Sequence, residues 1–588
     1  MSLVRDRLEL LIRLKWLGPA LLAGLIGLTF LAAAVPAATA LAVGRLIDRL
    51  AAAGPGHQLS AAAVPLLLYG LVLLTGHAVA ALRMPLSYLA EARIDGRHRA
   101  ELSRLAAGSR TVDALERSGV QVLIRTARAD PESFMDGSPG PGVVAQLDLV
   151  GRSLALAGAA LVLARWAWWP VPLLIAAAVA LHQLRWHEGV KRRRVWRNVL
   201  LPSMRADLWS DALISPAEGK EIRVFGLGEW ALGRIDGQLR TAYEPLWPVQ
   251  RGIIAAQWPQ FLVVLVPLAL VYLAVARGGA PVAVATSALL AGSAVFDAYA
   301  GAPGHTINAI TCIRAYDRLR AEMGLPAPPR EDSGRGVIRF EGVRFRYPGT
   351  EPWVLDGLDL EVRPGELLAV VGVNGAGKST LIKLLAGLHD PAEGRITGAD
   401  RSRFSVVFQD FVRYHLSAAD NVALGNARVA PDRAAVRSAA RDAGFDQVVA
   451  ELPAGWETPL ARTRAGGVDL SGGQWQQAAL ARALYALRTG ADVLVLDEPT
   501  AHLDVRTERE VFDRLAAHRG DASVILISHR LSTVRRADRI VLIDGGRIAE
   551  SGTHDELMAH GGAYAAMFTI QAQRFRRGYD DRLEEGAV

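Results

Sequence analysis

The chain has 588 residues, more than one ordinary core accommodates, so length alone argues for several domains. A formal net charge of +7 would suit a nucleic-acid partner, but long apolar runs in the first half exclude that class in favour of a membrane. The single cysteine, Cys312, rules out an intrachain disulfide and a cysteine-rich metal site, and is expected to be a small buried residue.

Residues Ser2 to Lys15 alternate charge with Leu3, Leu8, Leu11 and Leu14, the pattern of a helix lying in a membrane interface. Arg5, Arg7, Arg13 and Lys15 precede an apolar run containing Ala37-Ala38-Thr39-Ala40, a combination that a cleaved signal peptide also shows. The length of that run and the further spans favour a retained first helix. Apolar runs of spanning length occur at 17–43, 61–82, 149–164, 170–184, 253–276 and 281–300.

The third and fourth runs are short and separated only by Arg165-Trp166-Ala167-Trp168-Trp169, so they could be one crossing or two. Charge decides between these. With a cytoplasmic N-terminus, the segment 83–128, with Arg93, Arg97, Arg99, Arg104 and Arg110, is inside; the next basic cluster is Lys191-Arg192-Arg193-Arg194 with Arg197. Only two crossings between them keep both clusters inside, as the positive-inside tendency requires. The tryptophans then form an interfacial belt at the outer turn, and Asp148 and Arg152, four residues apart, are expected to pair.

The sixth helix is expected to continue through Arg314 and Arg320 and to stop near Gly324-Leu325-Pro326-Ala327-Pro328-Pro329. Beyond this point apolar strands alternate with glycine-punctuated helical segments, the signature of an α/β domain. The expected organisation is a membrane domain at 1–323, a linker at 324–335, a nucleotide-binding domain at 336–573 and a charged tail at 574–588.

Gly372-Val373-Asn374-Gly375-Ala376-Gly377-Lys378-Ser379-Thr380 follows the strand-like run 367–371 and leads into a helical pattern, the context a phosphate-binding loop needs. Its glycines let successive N–H groups converge on phosphate oxygens, Lys378 reaches the outer phosphates and Ser379 can ligate Mg2+. About a hundred residues later comes Leu470-Ser471-Gly472-Gly473-Gln474, and then Val493-Leu494-Val495-Leu496-Asp497-Glu498. Asp497 ends an apolar strand, where its carboxylate can hold Mg2+ through water, and Glu498 beside it can orient an attacking water.

These motifs together resemble the ATP-binding cassette family, and the whole chain resembles an exporter-type half-transporter. The resemblance implies an α-helical six-span membrane domain followed by an α/β P-loop cassette, functional as a dimer. ATP and Mg2+ are the implied cofactors. Tyr347 would stack on adenine, with Asn374, Gly375, Ala376, Gly377, Lys378, Ser379 and Thr380 around the phosphates. Ser471, Gly472, Gly473 and Gln474 would close the site of a facing cassette. Ser379, Gln409 and Asp497 would hold the metal, while Glu498, His529 and Gln409 would serve hydrolysis. Asp504 would couple the two sites. The segment 109–126 and Lys220 to Leu227 take the places of the coupling loops. Gln477 and His502 stand where members often carry arginine and a small residue.

The stretch Phe408 to Tyr414, with Lys220 to Leu227 and Gly466 to Leu470, resembles bacterial exporters of lantibiotics and other peptides. The implied activity is ATP-driven export of a peptide or other amphipathic molecule across the bacterial plasma membrane, the cassette being cytoplasmic. Lipid or drug export and siderophore import on the same architecture are the alternatives. The implied partners are a second half-transporter, identical in preference to different, the bilayer and the cargo. Asp297, an acid inside the sixth run, is a candidate for contact with cationic cargo.

Overall fold

The computed structural model describes residues 2–53, 58–109, 111–128, 137–215, 218–278, 281–297, 303–323, 336–400, 403–498, 520–528 and 534–576. The chain separates into two units, Met1–Gly108 with Ser118–Leu325, and Ser109–Arg117 with Pro326–Val588.

In chain order, α1 (Ser2–Ile12) buries Leu10 and leaves Leu8 and Ile12 exposed. Next, α2 (Pro19–Ala52) and α3 (Gln58–Ala107) absorb the first two apolar runs and extend beyond them. The short α4 (Asp113–Glu116), which belongs to the second unit, is followed by α5 (Ser118–Arg128). Helices α6 (Pro139–Ala164) and α7 (Pro170–Ile214) are separate, with the arginine–tryptophan segment between them and Pro170 starting the second helix, where its missing N–H costs nothing. The unit ends with α8 (Glu218–Val224), α9 (Gly228–Tyr243), α10 (Leu246–Arg277), α11 (Val282–Asp297) and α12 (Gly304–Met323).

Each of the six apolar runs is helical over most of its described residues, but among the described residues only four stretches are long and apolar enough to cross a membrane: Pro19–Ala52, Ser60–Ala107, Pro139–Ala164 and Gly228–Arg277. Val282–Val295 is apolar but shorter. In α7 the apolar start gives way to His182, Gln183, Arg185 and His187, which lower its hydropathy. The expected long sixth helix is described as α11 and α12. Residues 298–302 between them, the 324–335 linker and the tail from 577 onward lie outside the described residues.

Small residues let the apolar helices approach closely. Ala40, Ala159, Ala178, Ala288 and Ala291 pack with Leu163, Leu174 and Val271 in one buried cluster. Ser287 Oγ donates to the Ala40 carbonyl at 3.0 Å, and a Cβ added to Gly44 would lie 2.2 Å from that Oγ. Such contacts matter because apolar side chains gain little by leaving lipid for a neighbouring helix. Asp148 pairs with Arg83 of α3 and not with Arg152 as the spacing suggested. A cross-helix partner neutralises both charges where water is scarce. Cys312 is buried, as expected, 3.3 Å from the Ala127 carbonyl.

The second unit opens with β1 (Ile338–Phe345), which pairs antiparallel with β2 (Leu355–Val362). After β3 (Leu367–Val371) and α13 (Lys378–Leu385) comes β4 (Glu393–Thr397), antiparallel to the other side of β1. Then follow β5 (Phe404–Val407), α14 (Ala418–Ala423), α15 (Arg433–Ala443), α16 (Phe445–Glu451) and α17 (Gly472–Arg488). Strands β6 (Val493–Asp497), β7 (Ser523–Ile527), β8 (Arg539–Asp544) and β9 (Arg547–Gly552) precede α18 (His554–His560) and α19 (Ala563–Arg576).

The larger sheet has the order β5-β6-β7-β3-β8-β9, parallel except for β9. Every residue of β6 and β7 is buried, as expected of strands covered on both faces. One core joins this sheet to α13 and the antiparallel strands; a second gathers α14 to α17 around Trp475, Tyr485 and Phe445.

The Arg83–Asp148 pair makes the first test. Asp148→Leu strands a cation among apolar helices and should lower the thermal unfolding midpoint of the detergent-solubilised chain. Adding Arg83→Met should recover most of that loss, because an apolar pair replaces an ion pair with little penalty once both charges are gone. A double variant no more stable than Asp148→Leu would remove the pair from this account.

Candidate functional site

The candidate residues collect at the carboxyl ends of neighbouring parallel strands. The phosphate-loop sequence follows β3, Asp497 closes β6, Glu498 follows it, Gln409 lies in the turn after β5, and Ser528 follows β7. Register places them level: Val407 pairs with Leu496 and Asp497 with Ile527. In open α/β sheets this edge is where ligands bind.

The loop between β3 and α13 is tight. Ala376 N donates to Val373 O at 3.1 Å, and Gly377 caps α13 with φ +103°, a conformation that excludes side chains. A Cβ there would also meet Leu355 Cδ2 at 2.7 Å and Val354 O at 3.0 Å. Asn374, Gly375 and Ser379 are exposed, whereas Ala376, Lys378 and Thr380 are buried. Lys378 folds back along its own loop, its Nζ donating to Gly372 O at 2.8 Å and Val373 O at 3.0 Å. Burial pulls the Lys378 pKa below the ordinary lysine range, and the negative charges of Glu498 and Asp497 oppose that shift.

Glu498 is the non-glycine residue with positive φ among the described residues, at +48°. Its N–H donates to Ile527 O at 3.1 Å, so the last bond of the β6–β7 ladder holds the chain while the backbone turns into the left-handed region. An L-residue adopts that region only when its surroundings impose it, and such strain gathers at functional sites. Tyr347, two residues beyond β1, is half-buried, and its hydroxyl hydrogen-bonds Thr380 Oγ1 at 3.1 Å. The Lys383 ammonium lies 5.4 Å from the Tyr347 ring centroid. His529, His502 and Asp504 lie outside the described residues.

The signature segment, Leu470 to Gln474, belongs through Leu470 to the cluster around Trp475. Ser471 caps α17: its Oγ accepts from Gln474 N at 3.3 Å, and Gln474 Oε1 accepts from Ser471 N at 2.9 Å. The N–H groups of Gly472 and Gly473 begin this helix, a favourable place for an anion. The side chains of Ser471 and Gln474 bond to each other's backbone.

Two supports escaped the sequence reading. Trp475 is buried and donates Nε1–H to Asp469 Oδ1 at 3.1 Å, pinning the residues before Ser471 to the helix after it. Arg482 donates Nε–H to Asn421 O at 3.0 Å and Nη2–H to Asn421 Oδ1 at 3.1 Å, and lies 4.6 Å from the Tyr414 ring centroid. It thus ties the segment after Gln409 to the signature helix. Burial lowers the Arg482 pKa from its ordinary value, with Tyr414 opposing. Asp469 and Trp475, six apart across the motif, could have been paired from sequence; Arg482 and Asn421, 61 apart, carried no such signal.

The profile of the family described as "ABC transporter" matches residues 355–501. A solved structure, that of a bacterial Atm1-family ABC exporter with ATP bound, is similar over 94% of this chain and 98% of its own, with a TM-score of 0.78 and 23% identity. The fold is a helical membrane domain joined to an ATP-binding cassette. Among curated proteins, the ATP-dependent lipid A-core flippase of Alkalilimnicola ehrlichii is 41% identical over 265 residues, 42% of this chain and 44% of the relative. That of Chromohalobacter salexigens is 42% identical over 267 residues, 42% of this chain and 45% of the relative. The matches thus span less than half the length of these relatives.

Replacing Trp475 separates packing from tethering. Trp475→Phe, which keeps most of the volume, should lower cassette stability by about 1 kcal/mol, and Trp475→Ala by about 3–5 kcal/mol. Denaturant unfolding of the full chain, followed by fluorescence, reads both; a Trp475→Phe variant as stable as the parent would show that the indole N–H contributes nothing.

Proposed function

We propose that the chain is one half of an ATP-driven exporter, two copies pairing so that each ATP lies between the phosphate loop of one and the Ser471–Gln474 segment of the other. The observation that carries this reading is the strained backbone of Glu498, level with the phosphate loop at the sheet edge. The loop N–H groups and Lys378 bind and orient the triphosphate, and Tyr347 stacks on adenine. Ser379, Asp497 and Gln409 offer only oxygen ligands of hydroxyl, carboxylate and amide type, a donor set that fits Mg2+. When bound, Mg2+ supplies charge neutralisation between the phosphates. Glu498 holds and polarises the attacking water, and His529 contacts the outer phosphate. The cassette is cytoplasmic in the bacterial plasma membrane, with a homodimer preferred over a heterodimer.

The cargo we infer is an amphipathic, lipid-like molecule, a reading supported by relatives named lipid A-core flippases. Peptide export is the second reading, carried by the Phe408 to Tyr414 resemblance. That support is weakened because Tyr414 is engaged with Arg482 inside its own unit. The side chain of Asp297, where a cationic peptide could be sensed, lies outside the described residues.

Glu498→Gln should retain ATP binding and lose about 100-fold or more of turnover, the usual scale for removing a catalytic base or electrostatic stabiliser. Lys378→Ala should bind ATP poorly. Nucleotide occupancy and steady-state hydrolysis in nanodiscs distinguish the two, and near-normal turnover by Glu498→Gln would end its catalytic assignment. Co-assembled Lys378→Ala and Ser471→Arg chains concentrate both lesions in one shared site and should hydrolyse ATP faster than either parent. Activity no higher than the parents would count against shared sites that can act independently.

In proteoliposomes, an amphipathic glycolipid should stimulate hydrolysis and move between leaflets, whereas a cationic peptide should do neither. Stimulation and transport confined to the peptide would reverse the cargo assignment and restore Asp297→Asn as the informative variant.

A further inference from the structure

We propose that His389 is a positioning residue for nucleotide binding, tying the ring of Tyr347 to the short helix α4 through Asp113. This rests on the reading of Tyr347 as the adenine-stacking residue.

His389 lies between α13 and β4 and is completely buried. Its Nδ1 is 2.6 Å from Asp113 Oδ1. An ionised carboxylate can only accept, so Nδ1 carries the hydrogen and donates it. One residue earlier on each segment, Val112 N donates to Leu388 O at 2.8 Å, so two adjacent bonds fasten 112–113 to 388–389. The imidazole stands against two aromatic rings, with its centroid 5.3 Å from Phe345 and 5.5 Å from Tyr347. Its plane is nearly perpendicular to that of Tyr347, at 88°.

Tyr347 is therefore held at two places. Its hydroxyl is fixed to Thr380 on the phosphate-loop helix, and its ring abuts His389. The other imidazole nitrogen, Nε2, is buried with no hydrogen-bond partner. Burying an unsatisfied polar atom is costly, and phenylalanine would fill the same space without that cost. What imidazole adds is the Nδ1–H that reaches Asp113. The carboxylate lies in a segment, 109–117, that the chain threads between α3 and α5. A displacement of that segment by its flanking helices passes through one hydrogen bond and one ring contact to the face on which adenine stacks.

The test uses the full-length chain in nanodiscs, with the KM for ATP, kcat and the preference for ATP over GTP measured for each variant. His389→Phe keeps a ring and removes the donor; it should raise the KM for ATP about fivefold, the factor carried by one hydrogen bond of ordinary net strength, with kcat changed less. Preference for ATP over GTP should fall with it. His389→Asn, whose amide N–H can take the place of Nδ1–H, should recover most of the affinity. Asp113→Ala should reproduce His389→Phe, and the double variant should be no worse than either single one, because both remove the same bond. Additive losses, or a His389→Phe enzyme with unchanged KM and base preference, would overturn the proposal. Tyr347→Ala, measured alongside, separates the two levels. If it leaves the KM for ATP unchanged, the stacking reading fails and the proposal with it; if it raises the KM while His389→Phe does not, only the proposal fails.

Discussion

Strands β5, β6, β7 and β3 run parallel and side by side, and the level at which they end is the constraint on which the candidate site depends. Val495, Leu496, Ile525, Leu526, Ala369 and Val370 are buried, and the ladder pairs Val407 with Leu496, Asp497 with Ile527 and Val370 with Ile527. A shift by one residue would turn Asp497 from the end of β6 into its interior and carry Glu498 out of the turn. Hydrophobic burial well below the site thus supports the spacing of Gln409, Asp497 and Glu498 at its mouth.

Within that frame, two groups of the candidate site are held in place by their surroundings. Lys378 has three N–H donors; two are engaged by the carbonyls of Gly372 and Val373, so the ammonium is centred in its loop without freedom to search. Its burial disfavours the charge it carries, and the phosphate oxygen proposed for the remaining donor would offset that cost. Glu498 is strained in the backbone where Lys378 is strained electrostatically. Both penalties are sustained by the buried strands beneath, which is the division expected between a stable scaffold and a strained site.

The sequence made the strands, the phosphate loop and the signature helix legible because each rests on a local pattern: a continuous apolar run, glycines at fixed offsets, or a Ser471–Gln474 capping box. Lateral partners were less legible. Asp148 was read toward Arg152 because a single sequence displays helical spacing, whereas Arg83 comes from another helix through a contact that only folding creates. In α7 an apolar start is followed by histidines and an arginine that lower its hydropathy. Arg482 with Asn421 and His389 with Asp113 join segments 61 and 276 residues apart, beyond the reach of any periodicity.

Those long-range pairs also determine what can move as one piece. Arg482 binds Asn421 and lies over Tyr414, so the segment following Gln409 and the helix beginning at Ser471 share one anchor and one buried cluster. The phosphate loop belongs to the other cluster, with Tyr347 packed at its edge. Movement of the helix beginning at Ser471 would then carry the segment that follows Gln409 with it, because Arg482 fastens the two. A residue proposed for the metal and water of one site would move in step with residues proposed to close the site opposite. Linkage of this kind needs no contact between the two ATP sites themselves, because a single rigid cluster with a role in each is sufficient to bias both.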